Sequence, residues 1–292
     1  MDTPHLPVET LSIAANGQRF HALAAGPAHG PLVVLLHGFP ETSQGWRRQI
    51  GPLAAAGLRV VAPDQRGIGL SSKPAGIASY RVHVLAQDIV AIVHALGHAR
   101  AQVVGHDWGG AVAWTLAMRH ADVVERAAIL DAPHPAAFVE RLRRHPSQLL
   151  RSWYMAFFQL PWLPEAVLRA GNFDRLARAL VATSRPGTFT PADLDLYRAA
   201  WAQPGALTGM LNWYRALRLG GGSGPTRGDG RVAVPVRILW GDRDQALEAA
   251  LADASLAWCD AGEVFHFPDA THWLQHEEPA AVTARLLEFL RR

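Results

Sequence analysis

The chain of 292 residues has room for one large domain carrying an insertion, or at most two small domains. Hydrophobic residues make up 49% and charged residues 18%, which suits a well-buried globular enzyme and excludes a disordered chain. The net charge of +3 is spread along the sequence, with Lys73 the only lysine, so no nucleic-acid partner is expected.

In chain order, residues 8–25 alternate loosely and predict an antiparallel pair at a sheet edge. Continuous apolar runs follow at 31–36 (PLVVLL) and 58–62 (LRVVA), then a helical stretch over 81–97. Further strands are predicted at 102–105, 126–130, 236–240 and 263–267, and further helices at 109–120, 246–258 and 279–291. Runs apolar on both faces, alternating with helices, imply a doubly wound α/β core: a buried, mostly parallel sheet with helices on both faces. The rhythm breaks between 135 and 230, where RSWYMAFFQLPWLPEAVL and ALTGMLNWYRALRL are helical and aromatic and no strand is legible. GGGSGP at 220–225 closes that stretch as a flexible return loop. The predicted organisation is a core of 1–134 and 231–292, with a helical cap of 135–230 inserted as a lid.

Cys259 is the single cysteine, so no internal disulfide can form and a cytoplasmic address is the expectation. MDTPHLPVET lacks the basic start and apolar core of a secretory signal. No apolar run approaches the roughly 18 residues of a membrane helix, so no membrane partner is expected either. The oligomeric state is not legible.

The chemistry concentrates in GHDWG. The frame Gly105-x-Asp107-x-Gly109 follows a β run and precedes a helical one, the setting of a strained nucleophile turn. A helix-capping aspartate is the plainer reading of Asp107 alone, but partners follow it. Asp244, in WGDRD, comes just after a strand, and His272, in PDATHW, lies in the loop after the last one. Nucleophile, acid and then histidine is the chain order of a hydrolase triad. Asp131, directly after the strand ending at Leu130, is the alternative acid, and Asp242 lies two residues from Asp244; Asp244 is favoured. HGFP at 37–40 follows the first buried strand, where a turn aims the backbone N–H of Phe39 into the site opposite that of Trp108. Two such donors make an oxyanion hole.

HGFPE, DQRGIGLSSKP and GHDWGG resemble the α/β-hydrolase superfamily, and specifically its epoxide hydrolase branch with an aspartate nucleophile, over nearly the whole chain. HGFP and GxDxG are shared with haloalkane and haloacetate dehalogenases. The resemblance implies the α/β-hydrolase fold and two lid tyrosines that hydrogen-bond an epoxide oxygen. WYMAFFQLP and LNWYR resemble the stretches that carry them, which assigns the roles to Tyr154 and Tyr214. The same resemblance makes His37 and His106 supports for their turns, and His276 reads as a surface residue. Aromatics at Trp153, Phe157, Phe158, Trp162 and Trp213, with Phe39 and Trp108, suggest a pocket for a small apolar epoxide.

The implied reaction uses that epoxide and water. Asp107 attacks a ring carbon, and water activated by His272 hydrolyses the resulting ester to a vicinal diol. No cofactor is called for, and no cluster with metal-ligand spacing stands out. The nearest rival is a dehalogenase with the same Asp–His chemistry. A fluoroacetate-type enzyme would place arginines where Trp108 and Ala111 stand, and a haloalkane enzyme needs a second side-chain N–H that Phe39 lacks. A non-catalytic hydrolase-fold binding protein would have no need of both Asp107 and His272. An esterase would be poorly served by a resting carboxylate.

Overall fold

The computed structural model describes residues 7–220 and 230–292; the glycine-rich return expected at 220–225 lies outside them from 221 onward. β1 (Glu9–Ala15) and β2 (Gln18–Ala25) form the expected antiparallel pair, turned at Asn16-Gly17, both with positive φ. Next come β3 (Leu32–Leu36), α1 (Arg47–Ala55), β4 (Arg59–Pro63), α2 (Val82–Ala95), β5 (Ala101–His106), α3 (Trp108–Arg119) and β6 (Val124–Leu130). A helical run follows: α4 (Pro135–Arg144), α5 (Pro146–Arg151), α6 (Trp153–Phe157), α7 (Leu163–Ala182), α8 (Pro191–Trp201) and α9 (Ala206–Ala216). The chain closes with β7 (Val236–Gly241), α10 (Ala250–Leu256), β8 (Gly262–Phe267), α11 (Leu274–Glu277) and α12 (Pro279–Leu290).

The sheet order is β1-β2-β4-β3-β5-β6-β7-β8, antiparallel at β1/β2 and β2/β4 and parallel elsewhere. This is the α/β-hydrolase arrangement. The period of two along β3 splits its side chains between two apolar layers. Val34 and Leu36 face α2 and α3 through Ile89, Ile92 and Val112, whereas Val33 and Leu35 face α1 and α12 through Ile50, Leu53 and Leu286. Each fully buried aliphatic side chain contributes about 1.5–3 kcal/mol of transfer free energy.

Three elements differ from expectation. β8 is the edge strand and half-exposed, so its run is not buried on both faces. α10 is shorter than the predicted 246–258, because residues 246–249 are drawn into the loop that carries Asp244. α1 went unread because Gly51 and Pro52 interrupt its pattern; Ile50, Leu53 and Ala54 nonetheless anchor it. α7 bends at Ala170–Phe173, where Gly171, Asn172 and Phe173 all take left-handed φ.

Parallel strands put their C-terminal ends along one edge of the sheet. The loops after β3, β5, β6, β7 and β8 therefore meet there, the usual place for a ligand in an open α/β sheet. Among the described residues no helix is long and apolar enough to cross a membrane.

Candidate active site

Asp107 joins β5 to α3 at φ 50° and ψ −118°, a strained corner that lifts its side chain over the sheet edge. Close packing explains two glycines beside it. A Cβ on Gly109 would overlap the Leu36 carbonyl, and one on Gly38 would overlap the Asp107 side chain. The carboxyl is thus pressed against the loop after β3. Phe39 N–H donates to Asp107 Oδ1 at 2.7 Å, and the Phe39–Pro40 peptide is cis. Trp108 is the first residue of α3, so its N–H is one of those at a helix start without an intrahelical acceptor. His37 holds this loop: its Nε2 accepts from Gln65 N–H at 3.1 Å, and its carbonyl accepts from the Gln65 side chain at 2.6 Å.

His272, in the loop after β8, is 7% exposed. Its Nδ1 meets Asp244 Oδ2 at 2.6 Å, and its Nε2 stands 3.8 Å from Asp107 Oδ2. Asp244 is fixed in turn, its Oδ1 accepting from the N–H groups of Ala246 (2.6 Å) and Leu247 (3.0 Å). His106 Nε2 hydrogen-bonds the His272 carbonyl at 2.7 Å and so supports that loop. Burial opposes charge on His272, yet Asp244, then Asp107 and Asp131, outweigh it and push the imidazole up to about 10.

Neither alternative acid bonds His272. Asp131 Oδ1 accepts from Gly241 N–H at 2.8 Å, and Asp242 pairs with the half-exposed His266. Asp244, not Asp131, occupies the His272 Nδ1. One Asp131 oxygen and one ring nitrogen each from His106 and His272 lie within 4.8 Å of one another. Both histidines already meet protein partners, so this triplet does not offer a free set of metal ligands.

Tyr154 on α6 and Tyr214 on α9 share a cavity with Asp107, of about 190 Å³, small for a ligand site. Their rings meet edge to face, centroids 5.9 Å apart, and Tyr214 packs on Trp108 at 5.1 Å. Burial, reinforced by the Asp107 charge, pushes both phenols above their ordinary value, so both hold their protons at neutral pH. The walls are mostly apolar, with Val82, Ala111, Phe138, Met155, Leu217 and Leu247.

The expected pocket aromatics divide. Trp108 lines the cavity. Phe39 and Phe158 stand behind Tyr214, at 5.3 and 5.0 Å from its ring, and Trp213 donates its indole N–H to the Arg66 carbonyl at 2.9 Å. Trp153 and Trp162 point outward, 67% and 77% exposed, and Phe157 packs between Trp153 and Phe158 without lining the cavity. Neighbours on a helix project about 100° apart, so Trp153 and Trp213 turn away where Tyr154 and Tyr214 turn in.

A family model described as the alpha/beta hydrolase fold matches residues 31–279. The chain belongs to the alpha/beta hydrolase fold family. The hydrolase is 46% identical over 284 residues to the AB hydrolase superfamily protein YfhM of Bacillus subtilis, covering 97% of this chain and 98% of that one. It is 34% identical to epoxide hydrolase A of Mycobacterium tuberculosis, with 97% of each chain covered. A crystal structure of Bacillus megaterium epoxide hydrolase in complex with an inhibitor matches it with a TM-score of 0.87 at 31% identity, covering 97% of this chain and 100% of that one. The hydrolase is therefore an enzyme of the epoxide hydrolase branch.

One buried charge in this hydrolase was not foreseen. Glu41, just after HGFP, is 1% exposed; its Oε1 accepts from Tyr197 O–H and His276 Nε2, each at 2.6 Å, and its Oε2 from Gln275 Nε2 at 3.1 Å. His276, expected on the surface, is therefore buried, as the partner of that carboxylate. Burial opposes the Glu41 charge, but His276 and His106 outweigh it and hold the carboxyl well below the usual range. Burial keeps His276 neutral, so its Nε2–H donates. Tyr197 sits on α8, and Trp201 of the same helix donates its indole N–H to the Pro40 carbonyl at 2.6 Å. The joint ties the loop after β3 to the helices over the site. Its partners lie 156 and 235 residues from Glu41, a distance no local pattern spans.

Proposed function

We propose that this hydrolase opens a small apolar epoxide to a vicinal diol, with Asp107 as nucleophile. The observation that carries the reading is one cavity that pairs a carboxylate with two protonated phenols. A carboxylate suits displacement at an sp³ carbon because it is ionised at neutral pH and needs no base to activate it. Phe39 N–H already occupies Oδ1, which leaves Oδ2 to form the bond to carbon. The ring C–O bond breaks with its electron pair on the epoxide oxygen, which takes hydrogen bonds and one proton from Tyr154 and Tyr214.

The ester carbonyl is then Oδ1, held by the Phe39 N–H and facing that of Trp108. His272 Nε2 takes a proton from a water that attacks Asp107 Cγ, and Asp244 holds the imidazole in place. Collapse breaks the Cγ–Oδ2 bond, and the leaving alkoxide takes the proton from His272. The acid proton left on Asp107 returns to the tyrosinate. The diol thus keeps Oδ2, and the water oxygen stays in Asp107. Esterification also removes a negative charge from beside His272, which lowers the imidazole's proton affinity when a base is needed.

The division into a core of 1–134 and 231–292 and a cap of 135–230 belongs to the same reading, as it hangs the tyrosines of α6 and α9 over the nucleophile. The single cysteine suits a cytoplasmic setting. Haloalkane dehalogenation is disfavoured because a halide would find a phenyl ring where a second side-chain N–H is needed. The test is product formation from parallel panels of terminal epoxides and haloalkanes. Diol formation that vanishes in Asp107→Ala and collapses in Tyr154→Phe/Tyr214→Phe is expected. Halide release that survives loss of both tyrosines would replace this reading with the dehalogenase.

A further inference from the structure

The outer side of the helices over the site has no part in the reaction above, yet its composition is unusual. Of the nine exposed residues between 149 and 163, eight are apolar, among them Leu149, Leu150, Trp153, Trp162 and Leu163. The ninth, Arg151, donates to the Asp244 carbonyl at 2.8 Å. Single exposed apolar residues are ordinary, but a continuous run of them marks an interaction surface. Its surroundings are basic. Basic residues are spread along the chain, whereas acidic ones thin out here: residues 135–220 hold 11 arginines against 5 carboxylates, and the rest of the chain 17 basic against 20 acidic residues. Arg143 and Arg144 end α4 just before the apolar run, and Arg169 shares a surface groove with Trp162. The acids beside the run are paired, Glu140 with Arg144 at 2.8 Å and Glu165 with Arg215 at 2.6 Å.

We propose that residues 149–163 dock this hydrolase reversibly on an anionic lipid bilayer. Leucine and tryptophan side chains enter the boundary between headgroups and acyl chains, and the flanking guanidinium groups meet lipid phosphate. A second copy docked through the same face would set like charge against like, so charge complementarity favours the lipid. The contact lies in the surface. Among the described residues no helix can cross a membrane, and the sequence expectation of no membrane partner, drawn from the lack of a spanning run, does not bear on a surface contact. Tyr154 and Met155 line the cavity from the inner side of α6, so docking would set the cavity beside the phase in which an apolar epoxide dissolves. That consequence rests on the function proposed above; lipid binding itself does not.

The test is sedimentation of the full chain with vesicles of phosphatidylcholine alone, or with about 30% phosphatidylglycerol. We expect binding to the anionic vesicles in 0.1 M salt that weakens about tenfold in 1 M salt, where the screening length falls from about 10 to about 3 Å. Leu150→Ser/Trp162→Ser should weaken it about tenfold or more, and Arg143→Gln/Arg169→Gln about tenfold. All four side chains are exposed, so the thermal unfolding of both variants should match that of the parent chain. No binding to anionic vesicles, or binding that neither 1 M salt nor Leu150→Ser/Trp162→Ser weakens, would overturn the proposal. Self-association of the parent chain in sedimentation velocity that Leu150→Ser/Trp162→Ser abolishes would overturn it too, and assign the face to a second copy. Vesicle binding without epoxide turnover would uphold the docking face and strike the proposed reaction alone.

Discussion

Replacing Glu41 with alanine strands three buried donors at once: Tyr197 O–H, His276 Nε2–H and the Gln275 amide. Each unsatisfied buried donor costs about 1–3 kcal/mol, so three independent losses would cost about 3–9 kcal/mol. Because the three donors share one acceptor residue, the losses overlap, and about 4 kcal/mol is expected for the whole network. At about 2–4 °C per kcal/mol for a large domain, Tm should fall by roughly 10 °C. The loss should depend on pH. The folded-state pKa of Glu41 lies below its unfolded value near 4.5, so its contribution is complete above that pH and is lost as pH falls toward the folded value. Glu41→Ala should therefore narrow its gap to the parent protein in acid, while Glu41→Gln should cost less at neutral pH. Thermal unfolding from pH 3 to 8 checks both. A Tm change under about 2 °C, with an unaltered acid profile, would mean that the network contributes no net stability.

Tyr154→Phe and Tyr214→Phe each remove one donor from the developing alkoxide, and ester formation in single turnover should slow by about 10²-fold for each. Gly38→Ala would push a methyl group into the Asp107 side chain, so diol formation should be lost while circular dichroism reports a folded chain. The hydrolytic step requires neutral His272. Its rate should rise with pH through a value below the 10 or so of the free enzyme, because the ester has removed the Asp107 charge; a profile flat from about pH 5 to 10 would contradict this. The same raised pKa adds stability that is complete below about 6.5 and fades as pH rises toward 10, which urea unfolding across that range measures.

What was legible in the sequence is what local chemistry encodes. Buried parallel strands carry continuous apolar runs, and a strained turn demands glycines around Asp107, so the sheet and the loop order of Asp107, Asp244 and His272 follow from short segments. Side-chain direction in the helices over the site is not local in that way. Aromatic content alone does not separate Tyr214, which faces the cavity, from Trp213, which turns to the Arg66 carbonyl. Nor does it separate Tyr154 from the outward Trp153. The Glu41 joint was invisible because its partners come from distant segments. His276 looked like a surface residue for the same reason, since its neighbours Glu277 and Glu278 suggest solvent while its ring meets a buried carboxylate. α1 was lost to Pro52, whose helix is held by packing rather than by propensity.

The central claim is that Asp107 bonds covalently to the substrate, and a single turnover in ¹⁸O-labelled water tests it most directly. With enzyme in excess over a terminal epoxide, the account predicts unlabelled diol and ¹⁸O in the peptide that contains Asp107. Label in the diol from that first turnover, with an unlabelled Asp107 peptide, would mean that water attacks the epoxide directly and would contradict the account.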